Sequence, residues 1–193
     1  MLFVALWLPH TAHAAKNILV FGDSLSAGYG IAAENNWVRL IQQELERTHP
    51  GFNIVNASIS GETALGGRQR IARALQQHRP AIVIVELGAN DGLRGYKIAD
   101  IEAHLGEIIK QAKRSRAKVL LAGMKLPPNY GKPYITDFEN MYSRLAAIHR
   151  VRLLPFLLEG VAPEQFQADN LHPTAQGQPR MMQNVMQQLK PLL

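Results

Sequence analysis

Short runs of apolar residues alternate along this chain with stretches in which apolar residues recur every three or four positions. Continuous apolar runs are typical of buried β-strands, and they predict strands at 17–21, 52–57, 81–87, 118–122 and 151–154. The helical spacing predicts helices at 36–48, 65–78, 98–112, 134–150 and 173–189. Strands and helices are therefore expected to alternate, beginning with a strand.

The strand segments consist mainly of consecutive Val, Ile and Leu residues, which is typical of strands buried on both faces of a parallel sheet. Strands that alternate with helices predict an α/β protein. Right-handed crossovers then place helices on both faces of the sheet and give a three-layer α/β/α sandwich. With five strands, we expect a five-stranded parallel sheet in the flavodoxin-like order 2-1-3-4-5.

The first fourteen residues differ from the rest of the chain. They contain an apolar run at 2–8, too short to span a bilayer, followed by Pro9 and by the small residues Ala12 and Ala14. This pattern predicts a secretory signal peptide cleaved after Ala14, although the usual positively charged start is missing. The alternative is a first buried strand or helix. We expect residues 15–193 to form a single domain that is periplasmic or secreted.

Composition excludes several classes of protein and site. Of the 193 residues, 47% are hydrophobic and 19% are charged, which argues against a disordered chain. The sequence has no cysteine, so disulfides, thiolate metal sites and a cysteine nucleophile are excluded. Any covalent catalysis must then use a hydroxyl, an amine or a carboxylate.

The charge balance is basic, with 21 Lys and Arg, 15 Asp and Glu, and a formal net charge of +6. The densest cluster of positive charge lies at 110–118. We interpret it as the solvated end of a helix, where cations are favoured; a patch for phosphate or for an anionic membrane surface is the alternative. We expect a monomer with no nucleic-acid partner and no stable membrane anchor.

The segments that follow the predicted strands lie at 22–26, 58–62, 88–92, 126–134 and 169–173, the last after a longer stretch of chain. Four of the five contain small or polar residues suited to chemistry. In a doubly wound sheet, ligands bind beyond the carboxyl ends of the strands. We therefore expect these five segments to meet at one edge of the sheet and to contain the functional residues.

An acid and a base are predicted at Asp169 and His172, three residues apart. One turn of backbone can bring the Asp169 carboxylate to His172 Nδ1, which fixes the tautomer that leaves Nε2 as a base. A helix is expected to start at Pro173, directly after this pair. The alternative is a capping Asp beside an incidental His.

A base of this kind needs a nucleophile and donors for the oxyanion that develops on the substrate. Ser24, which follows a buried strand and lies near a helix start, is the candidate nucleophile; its alternative role is a helix N-cap. The candidate oxyanion donors are the backbone N–H groups of Ser24 and Gly61 and the side-chain NH₂ of Asn90. For each donor taken singly, turn formation is the alternative.

At these residues the sequence resembles the SGNH subgroup of the GDSL hydrolases. The family's nucleophile matches Ser24 in FGDSLSAGYG, its oxyanion glycine matches Gly61 in NASISGET, and its oxyanion asparagine matches Asn90 in ELGANDGLRGY. Its acid and base match Asp169 and His172 in DNLHP. The usual Gly-Gly-Asn-Asp is Gly-Ala-Asn-Asp in this chain, and the usual Asp-Gly-Ile-His is Asp-Asn-Leu-His.

The resemblance implies a serine hydrolase that needs no cofactor and no metal. It would cleave esters and thioesters of acyl chains, such as acyl-CoA, lysophospholipids and aryl esters, with broad specificity. A carbohydrate acetylesterase on the same fold and a non-catalytic periplasmic anion-binding module are the alternatives. The candidate substrate-binding residues come from the loops beside the predicted site, and ordinary loop packing is the alternative for each: Ile59, Leu93, Arg94, Tyr96, Leu126, Pro127 and Tyr130.

Overall fold

The computed structural model describes residues 15–193, and the predicted signal peptide at 1–14 lies outside them. Within the described range, five strands are present: β1 (Lys16–Gly22), β2 (Phe52–Asn56), β3 (Ile82–Glu86), β4 (Lys118–Ala122) and β5 (Arg152–Leu154). The α-helices of the same range are α1 (Ser24–Ala27), α2 (Trp37–Thr48), α3 (Ala64–His78), α4 (Ala89–Leu93), α5 (Ile98–Arg114), α6 (Lys132–His149) and α7 (Gln178–Leu189).

The strands form one parallel sheet in the order β2-β1-β3-β4-β5, so the predicted fold class and strand order are confirmed. Ile18 at the centre of β1 pairs with Ile54 of β2 on one side and with Ile82 of β3 on the other. The direction of winding therefore reverses between β1 and β3. In open α/β sheets, ligands bind at this reversal, beyond the carboxyl ends of the strands.

The helices cover the two faces of the sheet. Helices α2 and α7 contact each other and pack near β2, β4 and β5, whereas α3, α5 and α6 form a continuous layer on the opposite face. The apolar stripe of α5 includes Ile101, Leu105 and Ile108, and all three are buried in the hydrophobic core. Every residue of β3 is buried, as the apolar run at 82–85 predicts for a central parallel strand.

The last predicted helix begins later than expected. The prediction of a helix from Pro173 is wrong, because Pro173 pairs with Phe166 in an isolated antiparallel bridge. Backbone hydrogen bonds from Gln167 N to His172 O (2.8 Å) and from Thr174 N to Gln165 O hold this segment extended. Helix α7 starts only at Gln178, after a 3₁₀ turn. His172 is therefore presented by a hairpin-like loop.

Two short helices, α1 and α4, follow β1 and β3 directly. With four and five residues they are too short to show a helical period in the sequence. Both lie at the carboxyl edge of the sheet, on the two sides of the winding reversal. They carry Ser24 and Asn90, which brings these two residues toward the same space.

Candidate active site

Ser24 is the first residue of α1, at the turn that follows β1. Asp23 is the N-cap of this helix, because its Oδ1 accepts the Leu25 N–H at 3.1 Å. The alternative role of Ser24 as the N-cap is thereby excluded. The side chain of Ser24 is left free to interact across the site.

The structure brings together three side chains that the sequence singled out. Ser24 Oγ lies 2.8 Å from His172 Nε2, and His172 Nδ1 lies 2.7 Å from Asp169 Oδ2. With the ring proton on Nδ1 donated to the carboxylate, Nε2 is the acceptor for the Ser24 hydroxyl. This arrangement can remove a proton from Ser24 and stabilise the imidazolium that forms.

Asp169 is fixed by its own backbone turn. Its Oδ1 accepts the N–H groups of Leu171 and His172 at 2.9 and 3.0 Å. Asn170 closes this turn at φ +56°, a left-handed conformation that Asn tolerates better than most residues. Desolvation acts to raise the pKa of Asp169, but these two hydrogen bonds and the contact with the His172 ring outweigh it and lower the pKa to about 2. Asp169 is therefore ionised at neutral pH.

Two residues that the sequence analysis did not single out also position His172. The ring of Tyr29 lies against the imidazole, with 4.7 Å between the ring centroids. Gln167 Nε2 donates to Tyr29 O at 2.9 Å and to Pro173 O at 3.3 Å, which links the Tyr29 loop to the His172 loop. Neither residue has a local sequence signal, since the two are 138 positions apart in the chain and meet only in the folded molecule.

The candidate oxyanion donors come from three separate loops. The backbone N–H groups of Ser24 and Gly61 donate to no backbone oxygen within residues 15–193. Gly61 has φ +77°, a conformation that glycine adopts without strain. Asn90 Nδ2 donates to Asp23 Oδ2 at 3.0 Å and to Glu62 O at 3.1 Å. Donation to a substrate oxyanion then requires one of these two hydrogen bonds to be shared or replaced.

A cavity of about 290 Å³ opens beside Ser24, Asn90 and His172. Three of the predicted substrate-binding residues line it, namely Leu93, Leu126 and Pro127. Its wall also contains apolar residues that the sequence analysis did not select, from the loops after β4 and β5 and from the hairpin before His172: Met124, Phe156, Leu158 and Phe166. The sequence signal that could have identified Phe156 and Leu158 is their position shortly after a predicted strand.

The other four predicted substrate-binding residues do not line this cavity. Ile59 and Tyr96 are about half exposed, at 51% and 48%. Arg94 Nη2 reaches Gly61 O at 3.4 Å, and Tyr130 donates its hydroxyl hydrogen to Leu93 O at 2.7 Å. Arg94 and Tyr130 therefore connect the loops around the site.

Within residues 15–193, no group of three or more His, Asp or Glu side chains is arranged to hold a metal ion. No helix in the same range is long and apolar enough to cross a membrane. The groups placed together beside the cavity are the Ser24 hydroxyl, the His172 imidazole and the N–H donors, with the Asp169 carboxylate behind the imidazole.

Comparison with known proteins finds close relatives. The model of the GDSL-like lipase/acylhydrolase family matches residues 20–180. The esterase TesA of Pseudomonas aeruginosa is 46% identical over 182 residues, which cover 93% of this chain and 90% of that protein. The thioesterase 1/protease 1/lysophospholipase L1 of Escherichia coli K12 is 41% identical, covering 100% of this chain and 91% of its own. A crystal structure of TesA superposes with a TM-score of 0.90 at 44% identity, covering 92% of this chain and 100% of that one.

Proposed function

Because the chain belongs to the GDSL-like lipase/acylhydrolase family, we propose that it is a serine hydrolase that cleaves carboxylic esters and thioesters of acyl chains. The observation that carries this proposal is the continuous series of hydrogen bonds from Ser24 through His172 to Asp169 at the mouth of an apolar cavity. The relatives named as esterase and thioesterase support the same reaction class.

The reaction proceeds in two halves through an acyl-serine ester. Ser24 Oγ attacks the acyl carbonyl carbon while His172 Nε2 takes the hydroxyl proton, and the carbonyl oxygen becomes an oxyanion. The tetrahedral intermediate collapses, and His172 delivers its proton to a leaving alcohol or assists departure of a thiol. Water, deprotonated by His172, then attacks the acyl-Ser24 ester, and Ser24 takes back the proton as the acid is released.

The N–H groups of Ser24 and Gly61 and the Asn90 amide are proposed to donate to the oxyanion. The two backbone N–H groups are held in place before the charge develops, and such preorganised donors are worth more in a partly enclosed site than in water. Asn90 adds its N–H by sharing or replacing one of its two hydrogen bonds. The ionised Asp169 stabilises the imidazolium that accompanies each oxyanion, so that charges of opposite sign form together.

The lining of the cavity supports an acyl chain as the substrate part that it binds. Met124, Leu126, Phe156 and Leu158 present apolar surface beside Ser24, and each buried CH₂ of a substrate contributes about 0.8 kcal/mol. An apolar wall of this kind contacts the acyl chain and sets no polar requirement on the leaving group, so we expect broad specificity across aryl esters, acyl-CoA and lysophospholipids.

We also propose that the protein is exported, that residues 1–14 are removed, and that the mature form is a periplasmic or secreted monomer. The support is the short apolar start followed by small residues at Ala12 and Ala14. N-terminal sequencing of protein from the exported fraction should begin at Ala15, and sedimentation should give the mass of one chain. An intact Met1 on active cytosolic protein would contradict the export proposal.

A substrate panel on purified 15–193 tests the catalytic proposal. Nitrophenyl esters and acyl-CoA thioesters of graded length should be hydrolysed, whereas Ser24→Ala should bind but not turn over. A fluorophosphonate should label wild-type protein at Ser24 and leave Ser24→Ala unlabelled. Absence of labelling and turnover would favour an anion-binding module, and a sharp preference for acetylated sugars would favour a carbohydrate acetylesterase.

A further inference from the structure

Two carboxyl groups are buried beneath the turn that carries Ser24. Asp23 is 1% exposed and Glu86 is 0% exposed. They lie at the carboxyl ends of the neighbouring strands β1 and β3, where Gly22 is the register partner of Glu86. A Cβ at position 22 would lie 2.6 Å from Glu86 Oε2, so a glycine is needed there to admit the Glu86 side chain. The mechanism proposed above uses neither carboxyl group directly.

The hydrogen-bond donors around the two groups are distributed unequally. Both oxygens of Asp23 accept N–H groups, Oδ1 from Leu25 at 3.1 Å and Oδ2 from Asn90 Nδ2 at 3.0 Å. Glu86 Oε2 accepts the Ser26 hydroxyl at 2.6 Å and the Asp23 N–H at 3.2 Å. Glu86 Oε1 has no hydrogen-bond partner among residues 15–193.

Two buried carboxylates without a cation cannot both remain charged at low cost. No Lys or Arg of residues 15–193 forms an ion pair with either group. One proton therefore belongs to the pair. Since both Asp23 oxygens face N–H donors and Glu86 Oε1 faces none, the proton is located on Glu86 and the negative charge on Asp23.

The pKa directions agree with this distribution. Burial raises the pKa of Glu86 well above its ordinary value, and the Asp23 charge raises it further. Burial also raises the pKa of Asp23, to about 6, against the lowering effects of the Leu25 N–H, of a positive charge on His172 and of the hydrogen bond from Asn90. The stronger upward shift on Glu86 agrees with a proton on Glu86 and a negative charge on Asp23.

We propose that Asp23 and Glu86 are positioning residues for ester cleavage: the carboxylate of Asp23, next to a protonated Glu86, fixes the Asn90 amide with its nitrogen toward the oxyanion site. This inference rests on the function proposed above. A side-chain amide can rotate by half a turn and exchange its oxygen and nitrogen. With Asp23 Oδ2 and Glu62 O both facing Asn90, the reversed amide would set its oxygen against two acceptors.

Other titratable groups also face the pair. His172 lies across the site from Asp23, and its positive charge lowers the Asp23 pKa. Tyr142 approaches from α6, where its hydroxyl donates to Leu87 O at 3.0 Å. Burial and the charges of Glu86, Asp23 and Asp91 raise the Tyr142 pKa well above its ordinary value, so Tyr142 stays neutral. His172 is therefore the neighbour whose charge changes during turnover.

The first test is Asp23→Asn, with kcat and KM measured on a nitrophenyl ester. A single amide oxygen cannot accept from both Leu25 N and Asn90 Nδ2. With the oxygen kept on the Leu25 N–H, the new NH₂ faces Asn90 Nδ2 and is expected to displace the Asn90 amide. We expect kcat to fall by about 10²–10³, the usual effect of losing an oxyanion donor, with KM unchanged. Asp91→Asn is the matched control, because Asp91 is equally buried and accepts the Ala64 N–H instead.

The second test is Glu86→Gln, whose NH₂ takes the place of the protonated Oε1 and whose oxygen still accepts from Ser26 at the Oε2 position. This variant should keep most of the wild-type kcat. Its stability relative to wild type should also depend on pH. A raised folded-state pKa gives Glu86 its full stabilising contribution below the unfolded-state value of about 4.3, and that contribution is lost as pH rises toward the folded-state pKa. The Tm difference, Glu86→Gln minus wild type, should therefore increase with pH.

The two measurements separate this inference from the proposed function. The pH dependence of the Tm difference needs no substrate, so it tests the shared proton even if the protein hydrolyses none of the esters tried. A Tm difference that does not change with pH would overturn the protonated Glu86. Wild-type kcat in Asp23→Asn, or an equal loss in Asp91→Asn, would overturn the positioning of Asn90.

Discussion

Asp169→Asn tests whether the acid of the site sets the tautomer of the imidazole. Asp169 makes three contacts: Oδ1 accepts two backbone N–H groups, from Leu171 and His172, and Oδ2 accepts the His172 ring N–H at 2.7 Å. An amide has a single acceptor oxygen. The two backbone donors should hold that oxygen in the Oδ1 position, which turns the new NH₂ toward His172 Nδ1.

A donor opposite Nδ1 selects the tautomer that carries its proton on Nε2. Nε2 then has no lone pair for the Ser24 proton, and the base is lost while the geometry is kept. The same change in the Ser-His-Asp triad of a serine protease lowers kcat by about 10⁴. The side chains of His172 and Asp169 are 20% and 38% exposed, so water can compensate in part. We expect kcat to fall by about 10²–10⁴, or roughly 3–5 kcal/mol in the barrier.

The assay is steady-state hydrolysis of a short nitrophenyl ester. KM should change little, because Asp169 does not line the cavity. The loss of kcat relative to wild type should be present at every pH above 3.8, where Asp169 is ionised in the wild-type protein. The backbone and ring hydrogen bonds outweigh desolvation and hold the pKa of Asp169 near 2. Asp137→Asn is the control, being an exposed carboxylate that pairs with Arg144 and does not line the cavity.

Acid stability gives a second readout of the same variant. A lowered pKa means that the ionised Asp169 stabilises the fold above pH 3.8 and that this contribution is lost as pH falls toward 2. Asp169→Asn should therefore lose less stability than wild type in that window. A folded Asp169→Asn protein with wild-type kcat would refute the argument that this carboxylate sets the tautomer.

Three further predictions concern the donors and the cavity. Asn90→Ala should fold normally and lose about 10²–10³ in kcat with KM retained; unchanged turnover would remove Asn90 from the mechanism. Gly61→Ala meets no atom within 4 Å but forces a side chain into φ +77°, so thermal unfolding should show a loss of about 1–2 kcal/mol; an unchanged Tm would contradict the strain. Phe156→Ala removes a ring from the wall and enlarges the cavity, so kcat/KM for longer acyl esters relative to short ones should rise about fourfold per accommodated CH₂. The control is Ile148→Ala on α6, where Ile148 is 69% exposed, and it should leave this ratio unchanged.

The fold was predictable because its signal is local. Apolar runs such as 82–85 can be satisfied only by burial on both faces of a sheet, and the handedness of crossovers then limits the topology. The ends of individual helices were less predictable, because tertiary contacts can override the conformation that a residue prefers locally. Pro173 has the residue type of a helix start, yet its bridge to Phe166 keeps it extended.

The sequence identified Ser24, Gly61, Asn90, Asp169 and His172 as candidates, since each follows a strand and carries a residue type that acyl transfer requires. The substrate-binding residues were harder to predict. Leu93, Leu126 and Pro127 line the cavity, but Ile59 and Tyr96 do not. Whether an apolar loop residue faces a cavity or solvent depends on the path of loops that no periodicity constrains.

The sequence by itself determined which residues can do the chemistry and which edge of the sheet they occupy, because strand polarity and loop position follow from order along the chain. Only the tertiary structure decided the distances and the charge states. The 2.8 Å contact between Ser24 and His172 joins residues 148 positions apart. The burial of Asp23 against Glu86, 63 positions away, likewise has no counterpart in local sequence, since desolvation is a property of the packed molecule.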